Sequence, residues 1–188
     1  FLQKGGRNAF KIRLVLAATL AGVYGIYNGF ELCENTGIPG KEEYINSEKY
    51  QYKVWDWDRP GNIKLFIKAI NRIRNENPAL QYYKNLQFVE TDNEQVIAYY
   101  KTSPDLSNII LVVVNLDPYN TQESTIHVPH TQWNIASHEN YTVIDLLSGQ
   151  TFIWKGGKNY VKLNPHAEPV HIFTVSKWKH YERDFSLI

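Results

Sequence analysis

Methionine is absent from this chain of 188 residues, and cysteine occurs once, at Cys33. A single thiol excludes an internal disulfide and a cysteine-based zinc cage. Cys33 itself reads as a small buried hydrophobe: no histidine completes a nucleophile motif beside it, and Glu31 and Glu34 nearby would raise a thiol pKa. An excess of one charge is also lacking. Twenty basic against 19 acidic residues leave a net charge of +1, which excludes the clustered positive surface that nucleic acid or an anionic membrane requires. No long hydrophobic run is present either. The longest, residues 12–27, is interrupted by Arg13, Thr19, Gly22 and Gly25 and is too short to span a bilayer. No secretory leader pattern opens the chain, and the start Phe1-Leu2-Gln3-Lys4 reads as the edge of a piece from a longer, cytoplasmic protein.

Metal and nucleotide motifs are missing too. The six histidines (127, 130, 138, 166, 171 and 180) contain no i,i+4 pair and read as surface or hydrogen-bonded core residues. No run of Asp, Asn and Gly matches a calcium loop. Gly37-Ile38-Pro39-Gly40-Lys41 is not followed by Ser or Thr, and no G-x-G-x-x-G follows a strand, so nucleotide binding is rejected.

What is abundant is aromatic: 13 Tyr, 8 Phe and 5 Trp, a surplus that suits either sugar stacking or a β-rich core. Residues 8–21, NAFKIRLVLAATLA, are strong helix formers with apolar side chains around most of the circumference. Tyr24-Gly25-Ile26-Tyr27 reads as a short buried strand, and residues 30–52 as a long loop with a helical turn near Lys41 and Tyr44. Asp58-Arg59-Pro60-Gly61-Asn62 is a turn and cap; Ile63, Phe66, Ile67, Ile70 and Ile73 then repeat at helical spacing until Pro78. Helix, strand, long loop and helix are what the end of an α/β barrel would supply, since one parallel strand cannot bury both faces alone.

Beyond residue 80 the texture is β. Eight short runs (88–90, 95–101, 109–115, 124–128, 141–146, 151–154, 160–163 and 170–175) are separated by turn residues, the cadence of an antiparallel β-sandwich. The run Ile109-Ile110-Leu111-Val112-Val113-Val114 is apolar on both faces and predicts a central strand. The expected division is therefore residues 1–82, the end of a barrel, and residues 83–188, the β-sandwich. Detached from other strands, the first helix would expose a broad apolar face, to be covered by the sandwich or by a second copy in a homodimer.

Carboxylates concentrate between Phe30 and Arg59, interleaved with Tyr44, Tyr50, Tyr52, Trp55 and Trp57. Acids among aromatics make a plausible sugar-facing loop, because retaining glycoside chemistry needs two carboxyls about 5–5.5 Å apart. An acidic, solvated loop capped by packing aromatics has the same composition.

Four blocks decide more. YGIYNGFELCEN (24–35), EEYINSEKY (42–50), INRIRNENPAL (70–80) and VVVNLDP (112–118) resemble, in order and spacing, the C-terminal part of the bacterial α-1,4-glucan:maltose-1-phosphate maltosyltransferases of the α-amylase superfamily. The resemblance is close over the first 120 residues and looser beyond. It implies a (β/α)8 catalytic barrel followed by a β-sandwich, with residues 1–80 as the seventh helix, eighth strand, loop and eighth helix. It also implies a glycosyltransferase that moves maltosyl units from maltose 1-phosphate to the non-reducing end of an α-1,4-glucan acceptor, with no metal or organic cofactor. The alternative readings are a hydrolase or trehalose-forming isomerase of the same superfamily, or a non-catalytic carbohydrate-binding β-sandwich. The family's nucleophile, acid/base and stabilising Asp would all precede Phe1, so this chain would carry no catalytic residue and would be inactive alone. Lys49 and Tyr50, in the SEKY block, match its donor-sugar contacts. Glu31 and Glu34 would sit where barrel residues face the pocket; orienting loop backbone and neighbouring Arg or Lys is the other role open to them.

Overall fold

The computed structural model describes residues 1–41, 43–46 and 52–177. Two helices, α1 (Leu2–Leu20) and α2 (Lys64–Glu76), pack on one face of an antiparallel β domain. Its strands are β1 (Gln87–Thr91), β2 (Val96–Thr102), β3 (Ile109–Asn115), β4 (Gln122–His127), β5 (Asn140–Asp145), β6 (Thr151–Lys155), β7 (Lys158–Leu163) and β8 (Val170–Lys177). They form one sheet in the order β6-β5-β8-β3-β2-β1-β4-β7. The sheet turns over at β1, whose Gln87 to Val89 pair with β2 while Glu90 and Thr91 pair with β4. The β4–β7 flap thereby closes on the larger layer. The sandwich foreseen in the sequence is thus a single folded-over, barrel-like sheet.

β3 lies at the centre, as its double-sided apolar run requires. Ile109, Leu111 and Val113 enter the core between the two layers, with Ile126, Val161 and Leu163 from the flap. Ile110, Val112 and Val114 face the other way, into a second core with α1 and α2. Alternation along a strand sends successive side chains to opposite faces, so only a strand covered on both sides can be apolar throughout. Each such fully buried side chain contributes about 1.5–3 kcal/mol.

α2 follows its period: Phe66, Ile70 and Ile73 are buried, and Asn62 Oδ1 accepts the Lys64 amide at 3.2 Å. α1 starts earlier than its apolar pattern, because a first turn precedes a break at Gly6, whose φ is +53°. Three polar ties fasten α1 to the β domain. Lys11 Nζ donates to both carboxylate oxygens of Glu168 at 3.0 Å. Asn8 Nδ2 donates to the Pro118 carbonyl at 3.0 Å. Thr19 Oγ1 and Tyr99 Oη, both fully buried, are 2.6 Å apart. α1 and α2 therefore pack on the β domain.

Two local expectations fail. Residues 24–27 form no strand, and Ile26 and Tyr27 are exposed. A lone strand leaves its amides to water, so the run cannot become one by itself. The foreseen turn of helix near Lys41 is instead a small antiparallel loop. Gly37 bridges Tyr44, Ile38 donates to the Glu43 carbonyl at 2.9 Å, and the reversal runs through Gly40 at φ +75°.

Candidate functional site

The acid-and-aromatic loop is organised around a 3-10 turn, Phe30–Leu32, flanked by two residues in the left-handed region, Gly29 and Cys33. Gly29 is required twice over: its φ is +88°, and an added Cβ would lie 2.4 Å from the Trp55 ring. Leu32 anchors the turn in the interior, and the Glu31 carbonyl accepts the Ile63 amide at 2.8 Å, joining the turn to the start of α2. The Cys33 thiol is buried against the Gly61 carbonyl at 3.7 Å. Burial pushes its pKa up to about 11, against the opposing pull of Arg7, Arg59 and Lys11. That is the inert thiol the sequence suggests.

Glu34 is the gripped carboxylate of this loop. Its oxygens meet Lys53 Nζ at 3.3 Å, Arg59 Nη1 at 3.4 Å and the Thr36 amide at 3.2 Å. Burial pushes its pKa up, but the Thr36 and Lys53 hydrogen bonds and the Lys53 charge outweigh it, and the net shift is downward. Lys53 in turn stands 4.4 Å above the Trp55 ring, a cation–π contact. A carboxylate held this way is ionised at neutral pH, so it can position a loop or accept hydrogen bonds but cannot serve as a proton donor. Glu31 lines a shallow depression of about 430 Å3 with Ile26, Tyr27, Asn28, Lys64 and Ile67.

The structure thus brings Glu31 and Glu34 to one short turn, with Glu34 turned to Lys53 and Arg59. Lys49 and Tyr50 lie outside the described residues, as do Glu42 and Glu48. Asp56 and Asp58 are exposed; Asp58 pairs with Lys64 at 3.2 Å. Among the described residues no group of three or more His, Cys, Asp or Glu is placed to hold a metal ion. His171 sits 3.0 Å from Asp145 and 3.2 Å from the Lys162 carbonyl, so both ring nitrogens are engaged within the β domain.

The arrangement of two helices on a folded-over antiparallel sheet is that of α-amylase structures. Over 92% of this chain it superposes on the α-amylase from Geobacillus thermoleovorans in complex with acarbose, with TM-score 0.64, 14% identity and 34% of that chain covered. An Anoxybacillus α-amylase matches the same share with TM-score 0.65, 14% identity and 33% coverage. At that identity the likeness is one of fold. The sequence relationship is narrower. A family model described as GLGE, C-terminal, matches residues 88–175. The α-1,4-glucan:maltose-1-phosphate maltosyltransferase of Chlorobaculum tepidum is 51% identical over 182 residues, 93% of this chain and 27% of that protein. That of Rhodospirillum rubrum is 50% identical over 175 residues, 93% of this chain and 25% of that protein. Maltosyltransferase 1 of Streptomyces coelicolor is 49% identical over 185 residues, 96% and 27%. The chain is homologous to the C-terminal part of the α-1,4-glucan:maltose-1-phosphate maltosyltransferases and spans about a quarter of their length.

Proposed function

We propose that this chain is the C-terminal part of a retaining glycosyltransferase that moves maltosyl units from maltose 1-phosphate to the non-reducing end of α-1,4-glucans. The observation that carries the reading is the 51% identity, across 93% of the chain, to a protein of that name. The reaction is a double displacement. A carboxylate displaces phosphate from the maltosyl anomeric carbon; the acceptor hydroxyl then displaces the carboxylate, giving its proton to a second carboxyl acting as base. Both carboxyls come from outside these 188 residues. Lys49 and Tyr50 contact the donor sugar, the ammonium donating to hydroxyls and the phenol adding stacking area. Glu34, already bound to two cations, holds the loop that carries them, and Glu31 faces the pocket.

In the same reading residues 1–82 close a (β/α)8 barrel and residues 83–188 are a separate β domain. In support, Leu2, Leu14, Leu16, Ala17, Leu20 and Phe30 line an apolar hollow of about 540 Å3 along α1, beside exposed Val23 and Ile26. Barrel strands would cover that surface; a homodimer is the other cover. Among the described residues no helix is long and apolar enough to cross a membrane, and we place the enzyme in the cytoplasm with its phosphorylated donor. The test is phosphate release from maltose 1-phosphate by the intact enzyme with and without maltohexaose. Release that needs the acceptor is expected. Equal release without it would replace transfer by hydrolysis.

A further inference from the structure

Two adjoining hollows on the β domain share no residue with the Glu34 loop. The first, about 400 Å3, is lined by Asn85, Gln87, Tyr100, Thr102, Gln132 and Trp133, among others. The second, about 490 Å3, is lined by Tyr82, Tyr83, Lys84, Asn85, Thr102 and Pro104. Asn85 and Thr102 belong to both, so the two form one cleft with a polar half and an aromatic half.

The polar half has unspent hydrogen-bonding capacity. Asn85 Nδ2 donates to the Ala79 carbonyl at 2.8 Å and the Thr102 carbonyl at 2.7 Å, which fixes the amide orientation. Asn85 Oδ1 is then a buried acceptor with no partner among the described residues. Trp133 packs edge-on against Tyr100 at 5.3 Å, and its Nε1 is a buried donor likewise without a partner among the described residues. Leaving such a group unmade costs about 1–3 kcal/mol, so a native fold that keeps two beside one hollow invites a ligand or bridging water there. Tyr100 Oη is 2.8 Å from Gln132 Oε1 and donates to it, so the exposed Gln132 keeps both amide hydrogens. The aromatic half is open: Tyr82 is 45% exposed and Tyr83 79% exposed, leaving ring faces free for stacking.

These features select a ligand. Among the described residues, Lys84 is the one charged side chain lining either hollow, which disfavours an anion or a cation. A purely apolar partner would leave the Asn85 and Trp133 atoms unpaired. A neutral ring with one C–H face and an edge of hydroxyls satisfies both halves, because each hydroxyl donates and accepts. We propose that the cleft is a saccharide-binding site. One glucosyl unit stacks on Tyr83 and Tyr82, and the next donates to Asn85 and accepts from Gln132 and Trp133, through a bridging water where the buried atoms are out of direct reach. That the saccharide is an α-1,4-glucan rests on the proposed function; that it is a saccharide does not.

The test is calorimetric titration of the 188-residue chain with maltoheptaose and, separately, cellohexaose, for wild type, Tyr83→Ala and Gln132→Ala. Saturable maltoheptaose binding is expected, weakened about tenfold by Tyr83→Ala and about three- to tenfold by Gln132→Ala, with far-UV dichroism and melting temperature unchanged. Affinities unchanged in both variants, or no saturable binding of either sugar, would overturn the site. A preference for cellohexaose would overturn its α-1,4-glucan assignment. A failure of maltosyl transfer itself is read in the wild type and is therefore distinguishable from a failure of this site.

Discussion

The contact between Thr19 and Tyr99 joins α1 to the β domain, and its hydrogen positions can be deduced. Thr19 Oγ1 lies 2.7 Å from the Val15 carbonyl and 2.6 Å from Tyr99 Oη. A carbonyl only accepts, so the single threonine hydrogen goes to Val15 and Tyr99 must donate to Thr19. The two substitutions are then unequal. Tyr99→Phe removes a donor but leaves the threonine hydroxyl satisfied by Val15, at a cost of about 0.5–1.5 kcal/mol. Thr19→Val strands the tyrosine hydroxyl in a site with 0% exposure, at a cost of about 1–3 kcal/mol. The double variant replaces both partners by apolar groups, so it should cost about 1–2 kcal/mol less than the sum. Urea unfolding of the four proteins measures the cycle. Tyr99→Phe costing more than Thr19→Val, or additivity within about 0.5 kcal/mol, would refute the donor assignment. Burial also raises the Tyr99 pKa well above its ordinary value of 10. The folded state holds this proton more tightly than the unfolded state, so the associated stability is complete below pH 10 and falls as pH rises above it. Tyr99→Phe should remove that alkaline decline.

Three further outcomes follow from the Glu34 loop. Glu34→Gln should cost about 1 kcal/mol or less at pH 7, and the gap should narrow as pH falls below 4.5. The lowered Glu34 pKa stabilises above its ordinary 4.5 and is lost as pH falls through and below that value, so a gap that widens in acid would be wrong. The Cys33 thiol, with its pKa near 11, should stay unmodified by a thiol reagent in the folded chain at pH 8 and react fully in urea; rapid native labelling would contradict its burial. In the intact enzyme, Lys49→Ala should lower kcat/KM for maltose 1-phosphate about ten- to a hundredfold and Tyr50→Phe less, whereas values within twofold of wild type for both would remove their role.

The β domain was legible because its signals are local. All eight strands fall on the runs read from alternation and turn residues, and β3 (Ile109–Asn115) matches its run to the residue. The folding-over at β1 was not legible, since pairing with both β2 and β4 depends on residues far apart in sequence. Residues 24–27 carry strand composition yet form no strand, because composition alone does not supply a ladder. In the loop, Glu34 stood out as an acid, but Arg59, 25 residues on, could not be assigned to it from spacing. The saccharide cleft left only a faint sequence trace, the adjacent Tyr82 and Tyr83 in a polar stretch; Gln132 and Trp133 join them through the fold alone.

Transfer of a two-sugar unit is the claim on which the functional account stands. The most direct measurement is mass spectrometry of the products when the intact enzyme is given maltose 1-phosphate and maltohexaose. The account predicts a ladder extended in steps of two hexoses, with one phosphate released per step. Steps of one hexose, or free maltose with an unextended acceptor, would contradict it.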